Sequence, residues 1–201
     1  MIVSLVISAI FQVILFTAVP FVYWLLTSRK IISFIRWIGL KKPQNVSSNR
    51  FIVFFAGTVV IFSCSGLIAS SFLDTQTLAS SQFYGVGYAG LIPALIYSFV
   101  QTSLSEEILF RGFIGKRLGA KLGFGTGNVI QAFLFGLVHA VMLYGSAGLL
   151  RSLIVLLLTG AVGWSIGVIN EKLSGGSILP GWMLHGVTNF ISAVVMMYKL
   201  M

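Results

Sequence analysis

Long apolar runs alternate with short polar stretches along the chain, and runs of about 20 residues are what a helix needs to cross a bilayer. Six runs stand out, at roughly 3–27, 51–72, 86–106, 128–145, 150–170 and 178–198. The pattern predicts an all-α, polytopic transmembrane helix bundle, a single integral-membrane domain over 1–201 with about six spans. Between the first two runs, Ile31, Ile32, Phe34, Ile35, Trp37, Ile38 and Leu40 precede Pro43. This suits a short interfacial helix with Trp37 at headgroup level. In the fifth span, Gly163-x-x-x-Gly167 sets two small residues on one face, which permits close helix contact.

Composition sharpens the class. Hydrophobic residues make up 57% of the chain and charged ones 8%, too few to give a water-soluble domain its polar coat. The net charge of +9 does not point to nucleic acid, because the basic residues gather between apolar runs, where they orient the chain. Loop 28–50 holds Arg29, Lys30, Arg36, Lys41, Lys42 and Arg50 and is cytoplasmic by the positive-inside rule.

Alternation then places loop 73–85, which has no Lys or Arg, outside, and Lys116, Arg117, Lys121 and Lys172 inside. Only Arg151 and Lys199 fall outside. The expectation is a multi-pass protein of the cell membrane with both termini outside and the lipid bilayer as its first partner. Residues 1–27 read as a retained first span, since no basic residue precedes them and no Ala-x-Ala-like end follows. Cys64 is the only cysteine, which excludes an intrachain disulfide and a cysteine-rich metal site.

The chain has four acidic residues, Asp74, Glu106, Glu107 and Glu171, and two of them are adjacent in 104-LSEEILFRGF-113. An ionisable group in the apolar layer costs about 2.5–3.5 kcal/mol on insertion scales, so each implies a partner, a wet cavity or a function. Helical spacing places Glu107 and Arg111 on one face in the favourable order for an ion pair, with Glu106 turned about 100° away. Glu107 is then held, and Glu106 is free to face something else. The only two histidines each stand one turn from a distinctive partner, Phe135 before His139 and Asn189 after His185. Both lie roughly 16 and 11 Å from the cytoplasmic ends of their spans at 1.5 Å per residue. A funnel open to the cytoplasm would bring them to water together with the glutamates.

Taken in order, Glu106-Glu107-x-x-x-Arg111, Phe135-x-x-x-His139 and His185-x-x-x-Asn189 resemble the three motifs of the CPBP family, the CAAX proteases and bacteriocin-processing enzymes, also called Abi proteins. The string EEILFRG is similar to the bacterial form of the first motif, and the resemblance covers about residues 88–198. It implies an intramembrane glutamic endopeptidase that needs no metal or other cofactor. Glu106 and His139 would activate a water, His185 and Asn189 would stabilise the oxyanion, and Glu107 and Arg111 would support the site, with Phe135 beside His139. The implied partner is a peptide or membrane-protein substrate. Elementary chemistry agrees with this division of labour. A carboxylate partly removed from water is a better general base, and an amide one turn from an imidazole can donate to a developing alkoxide.

Three other readings use the same residues. One Glu and two His could form a catalytic zinc site, although His-Glu-x-x-His is missing. A non-catalytic immunity or regulatory protein could bind a peptide in the same cavity. A proton-coupled transporter would use a Glu/His relay but should carry paired repeats, and none is evident.

Overall fold

The computed structural model describes residues 2–200, and among these there are helices and turns but no strands. In lipid each backbone N–H and C=O needs an internal partner, so apolar runs of this length are driven into helices. We label them α1 (Ile2–Thr27), α2 (Phe34–Trp37), α3 (Asn49–Ser70), α4 (91–122), α5 (124–147), α6 (149–173) and α7 (Leu179–Met197). Four helical runs are long and apolar enough to cross a membrane: Ile2–Thr27, Asn49–Ser70, Phe124–Leu173 and Leu179–Met197.

The third of these runs doubles back. Gly148 sits at φ 77° and ψ 173°, a conformation that favours glycine, and splits the run into α5 and α6. The arms are antiparallel: Asn128 Nδ2 donates to the Trp164 carbonyl, Gln131 Nε2 donates to that of Gly163, and Gly136 lies against Leu156. The close contact expected at Gly163 and Gly167 is present. Gly167 lies so close to Asn128 that a Cβ there would collide with its Oδ1. The fourth and fifth expected spans are therefore one hairpin, and with α4 the runs account for the expected bundle.

α4 differs most from its expectation. The span expected at 86–106 ends at the first glutamate, whereas the helix continues through both glutamates and Arg111 to Leu122. Glu106 and Glu107 thus lie in mid-helix and not near its end. Over Ile96–Leu104 and Glu107–Gly115 the hydrogen bonds run from i to i+5, a π-helix. Hydroxyl groups compete for the ladder there: Thr102 Oγ1 bonds the carbonyls of Tyr97 and Ser98, and Ser105 Oγ those of Gln101 and Thr102. Hydropathy periodicity carries no signal for this widening.

Trp37 falls in the short helix expected after the first span, and its ring is covered by the protein. α2 is a single turn, and Trp37 is 5% exposed, packed within the protein against Phe113 with the Arg117 guanidinium 4.0 Å above its ring. The cause is Gly112, where a Cβ would come within 2.7 Å of the Ile38 carbonyl oxygen, so the missing side chain lets segment 37–38 settle onto α4. Ile31 and Ile35 remain exposed.

Burial separates lipid-facing from central helices. In α1 and α3 only 11% of the most apolar window is buried inside the protein, against 44% in the hairpin. α1 leans on α4, while α3 packs Phe51, Phe54, Phe55 and Phe62 against Val162, Ile166, Ile169 and Leu184 of α6 and α7.

Candidate active site

The two faces of α4 carry different chemistry. On the side toward α6, Glu107 is fully buried, with Arg111 Nη1 3.1 Å from its Oε1 and Asn170 Nδ2 donating to its Oε2 at 3.1 Å. The ion pair expected from the i, i+4 spacing is formed. Asn170 was not singled out by the sequence, yet it joins two elements, because its Oδ1 accepts the Gly181 N–H at 3.0 Å and ties the start of α7 to Glu107. Gly181 is required for this approach, since a Cβ would lie 2.6 Å from both polar atoms of the Asn170 side chain. The Arg111 guanidinium rests 4.1 Å from the Phe135 ring centre, and Phe110 meets the same ring edge-on at 5.1 Å.

Tyr97, Gln101, Thr102, Glu106 and Phe110 face the other way and line a cavity of about 830 Å³. Residues spaced four and five apart share one face in a π-helix, which is why this row stays aligned along the cavity. Phe135 and His139 from α5 and His185 and Asn189 from α7 line the same chamber, with α1, α3 and α6 completing its wall. Glu106 keeps 16% of its side chain exposed there.

His185 sits between the two carboxylates, Nε2 3.7 Å from Glu106 Oε2 and Nδ1 3.5 Å from Glu107 Oε1. The imidazole nearest Glu106 is therefore that of His185, while His139 shares the chamber without this contact. His139 Nδ1 donates to the Phe135 carbonyl at 2.8 Å, since a carbonyl can only accept, and this leaves Nε2 as the free acceptor nitrogen. The rings of Phe135 and His139 stand 4.5 Å apart. Asn189 Nδ2 donates one hydrogen to Thr102 Oγ1 at 3.0 Å and has a second to offer.

Beyond the apolar part of α4, Lys116 Nζ pairs with Glu171 and donates to the Gly176 carbonyl, closing the end of the hairpin against the loop before α7. Burial lowers the Lys116 ammonium below the usual lysine range, with Glu171 opposing the shift.

The fold and its chamber define a helical membrane protein with acid, imidazole and amide groups gathered from three helices. Residues 88–191, more than half of the chain, match the family model for the type II CAAX prenyl endopeptidase Rce1-like proteins, and the chain belongs to that family. Membership makes it a hydrolase of the CAAX-protease class in a multi-pass membrane setting, with a peptide or protein as substrate. Comparison with curated proteins and with solved structures gives no match.

Proposed function

We propose that the protein is an intramembrane endopeptidase of glutamic type, in which Glu106 and His139 activate a water that attacks a peptide carbonyl. Glu106 takes a proton from the water as the new C–O bond forms. The oxygen of the tetrahedral intermediate receives hydrogen bonds from His185 and from the free N–H of Asn189. The proton then passes to the leaving amine as the C–N bond breaks. Glu107, Arg111 and Asn170 hold α4, α6 and α7 in register, and Phe135 supports both His139 and Arg111.

One observation carries the reading: Glu106, His139, His185 and Asn189 line one chamber, while the neighbouring Glu107 is turned away into a closed clamp. In the membrane both termini lie outside and the chamber takes its water from the cytoplasm, in keeping with the basic residues of loop 28–50. The test compares peptides recovered from membranes carrying the wild type with those carrying Glu106→Ala. Products present only with the wild type are expected, and identical peptide sets would refute the proposal.

The closeness of His185 to Glu106 and Glu107 supports a second reading, a zinc protease. Nε2 of His185 faces Glu106 and Nδ1 faces Glu107, so a zinc ion would sit at Nε2 with Glu106 and would need His139 as its third ligand. Among the described residues no three His, Cys, Asp or Glu side chains are grouped to hold an ion. Cleavage lost to a chelator and restored by zinc would favour this reading over the first.

A further inference from the structure

The segment that joins α1 to α3 carries charge that the fold leaves unanswered. Residues 28–50 hold six of the thirteen Lys and Arg residues of the chain, Arg29, Lys30, Arg36, Lys41, Lys42 and Arg50, and no Asp or Glu. All six are exposed, and among the described residues none has a carboxylate within ion-pair distance. Glu171, which shares the surroundings of Gly176 with Lys41, is already paired with Lys116.

Bare apolar side chains stand among these cations. Ile31 is 85% exposed and Ile35 53%, with Ile32 beside them. Unpaired cations mixed with exposed isoleucines suit the boundary between headgroups and acyl chains. A nucleic acid would offer phosphate but nothing to cover the isoleucines.

The surface is also held in place. Trp24 Nε1 donates to the Ile32 carbonyl at 2.8 Å. Further along, the segment is bonded to the loop before α7: the Ile178 N–H donates to the Gly39 carbonyl at 2.9 Å, the Gln44 N–H to that of Ser174 at 3.2 Å, and Ser177 Oγ to that of Lys41. Cations set on a fixed surface lose less freedom on meeting a ligand than cations on a loose loop.

We propose that this segment is a binding surface for anionic phospholipid, whose headgroups pair with Arg29, Lys30 and Arg36 while Ile31 and Ile35 enter the acyl layer. The inference is independent of the hydrolytic reading. One Lys or Arg near an anionic surface favours attachment by about fivefold.

The experiment uses the full-length protein in phosphatidylcholine nanodiscs with a single fluorophore. Cys64 is the only cysteine, so Cys64→Ser with Ser33→Cys gives one label inside the segment, at a hydroxyl that makes no capping bond. Cys64→Ser with Gln76→Cys gives a reference label in loop 73–85, which has no Lys or Arg. Phosphatidylglycerol or phosphatidylcholine, each brominated high in the acyl chain, is then titrated in as a quencher. At residue 33 the anionic lipid should reach half-quenching at about one-fifth of the mole fraction that the zwitterionic lipid requires. At residue 76 the two curves should coincide. Replacing Arg29, Lys30 and Arg36 together by Gln should bring the curves at residue 33 together, and about 0.5 M NaCl should narrow the gap between them.

Coincident curves at residue 33 before any charge is removed would overturn the proposal. An equal preference at residues 33 and 76 would do the same, since it would belong to the bilayer and not to this surface. Neither comparison uses a charge variant, so a misfolded triple variant does not decide the matter. A preference that survives the triple substitution would take those three residues out of the site. Loss of the preference on adding inorganic phosphate at constant ionic strength would make a free anion the ligand, contrary to the proposal.

Discussion

On one face of α4, Glu107 is sealed between Arg111, Asn170 and His185, and on the other Glu106 looks into a chamber with one imidazole nitrogen, Nε2 of His185, 3.7 Å away. The two residues are chemically identical and adjacent, so the difference between them comes wholly from what the fold sets opposite each. A carboxylate with a fixed cation and a fixed donor is a strut. One that faces an open cavity can take a proton from a water admitted there.

The contrast can be broken from either side, and the largest effect belongs to the chamber. His139→Ala should lower cleavage by about 10²- to 10⁴-fold, the range of a lost general acid–base group, with the unfolding midpoint in detergent unchanged. A variant that unfolds early with normal turnover would place His139 on the structural side. Arg111→Ala should act on stability instead, destabilising by about 3–5 kcal/mol because Glu107 is left buried without its cation. Reversible unfolding in mixed micelles reads this directly, and a near-neutral result would mean that the clamp does not hold α4.

Smaller effects sharpen the picture. Asn170→Ala removes one donor to Glu107 and the acceptor for the Gly181 N–H, for an expected loss of about 1–3 kcal/mol. Gly181→Ala drives a methyl group into Asn170 and should destabilise by a similar or slightly smaller amount, about 1–3 kcal/mol. If the clamp transmits through Asn170, combining Asn170→Ala with Gly181→Ala should cost less than the sum of the two, and strict additivity would separate them.

Much of this arrangement is legible in the sequence, for identifiable reasons. Apolar run lengths mark the helices, because the bilayer sets a length that composition reveals. The Glu107–Arg111 pair follows from spacing that survives even in a widened helix. The two arms that meet at Gly148 are legible as the separate runs 128–145 and 150–170, whereas the π-helix of α4 is not, since it depends on hydroxyl groups competing for carbonyls. The enclosure of the Trp37 ring is not legible, because aromatic residues beside a basic loop look the same whether they are open to headgroups or covered by the cleft at Gly112. Asn170 is not legible as a site residue, because an uncharged amide inside an apolar run costs less than a charge and looks like ordinary interhelical glue.

The account depends on Glu106 doing chemistry while Glu107 holds the structure, and one paired measurement addresses it. Glu106→Gln and Glu107→Gln are reconstituted in liposomes beside the wild type, and each is assayed for peptide cleavage and for its unfolding midpoint. The expected result is an inactive Glu106→Gln protein with the wild-type midpoint, and a Glu107→Gln protein whose midpoint falls. A Glu106→Gln protein that still produces cleaved peptide would contradict the account.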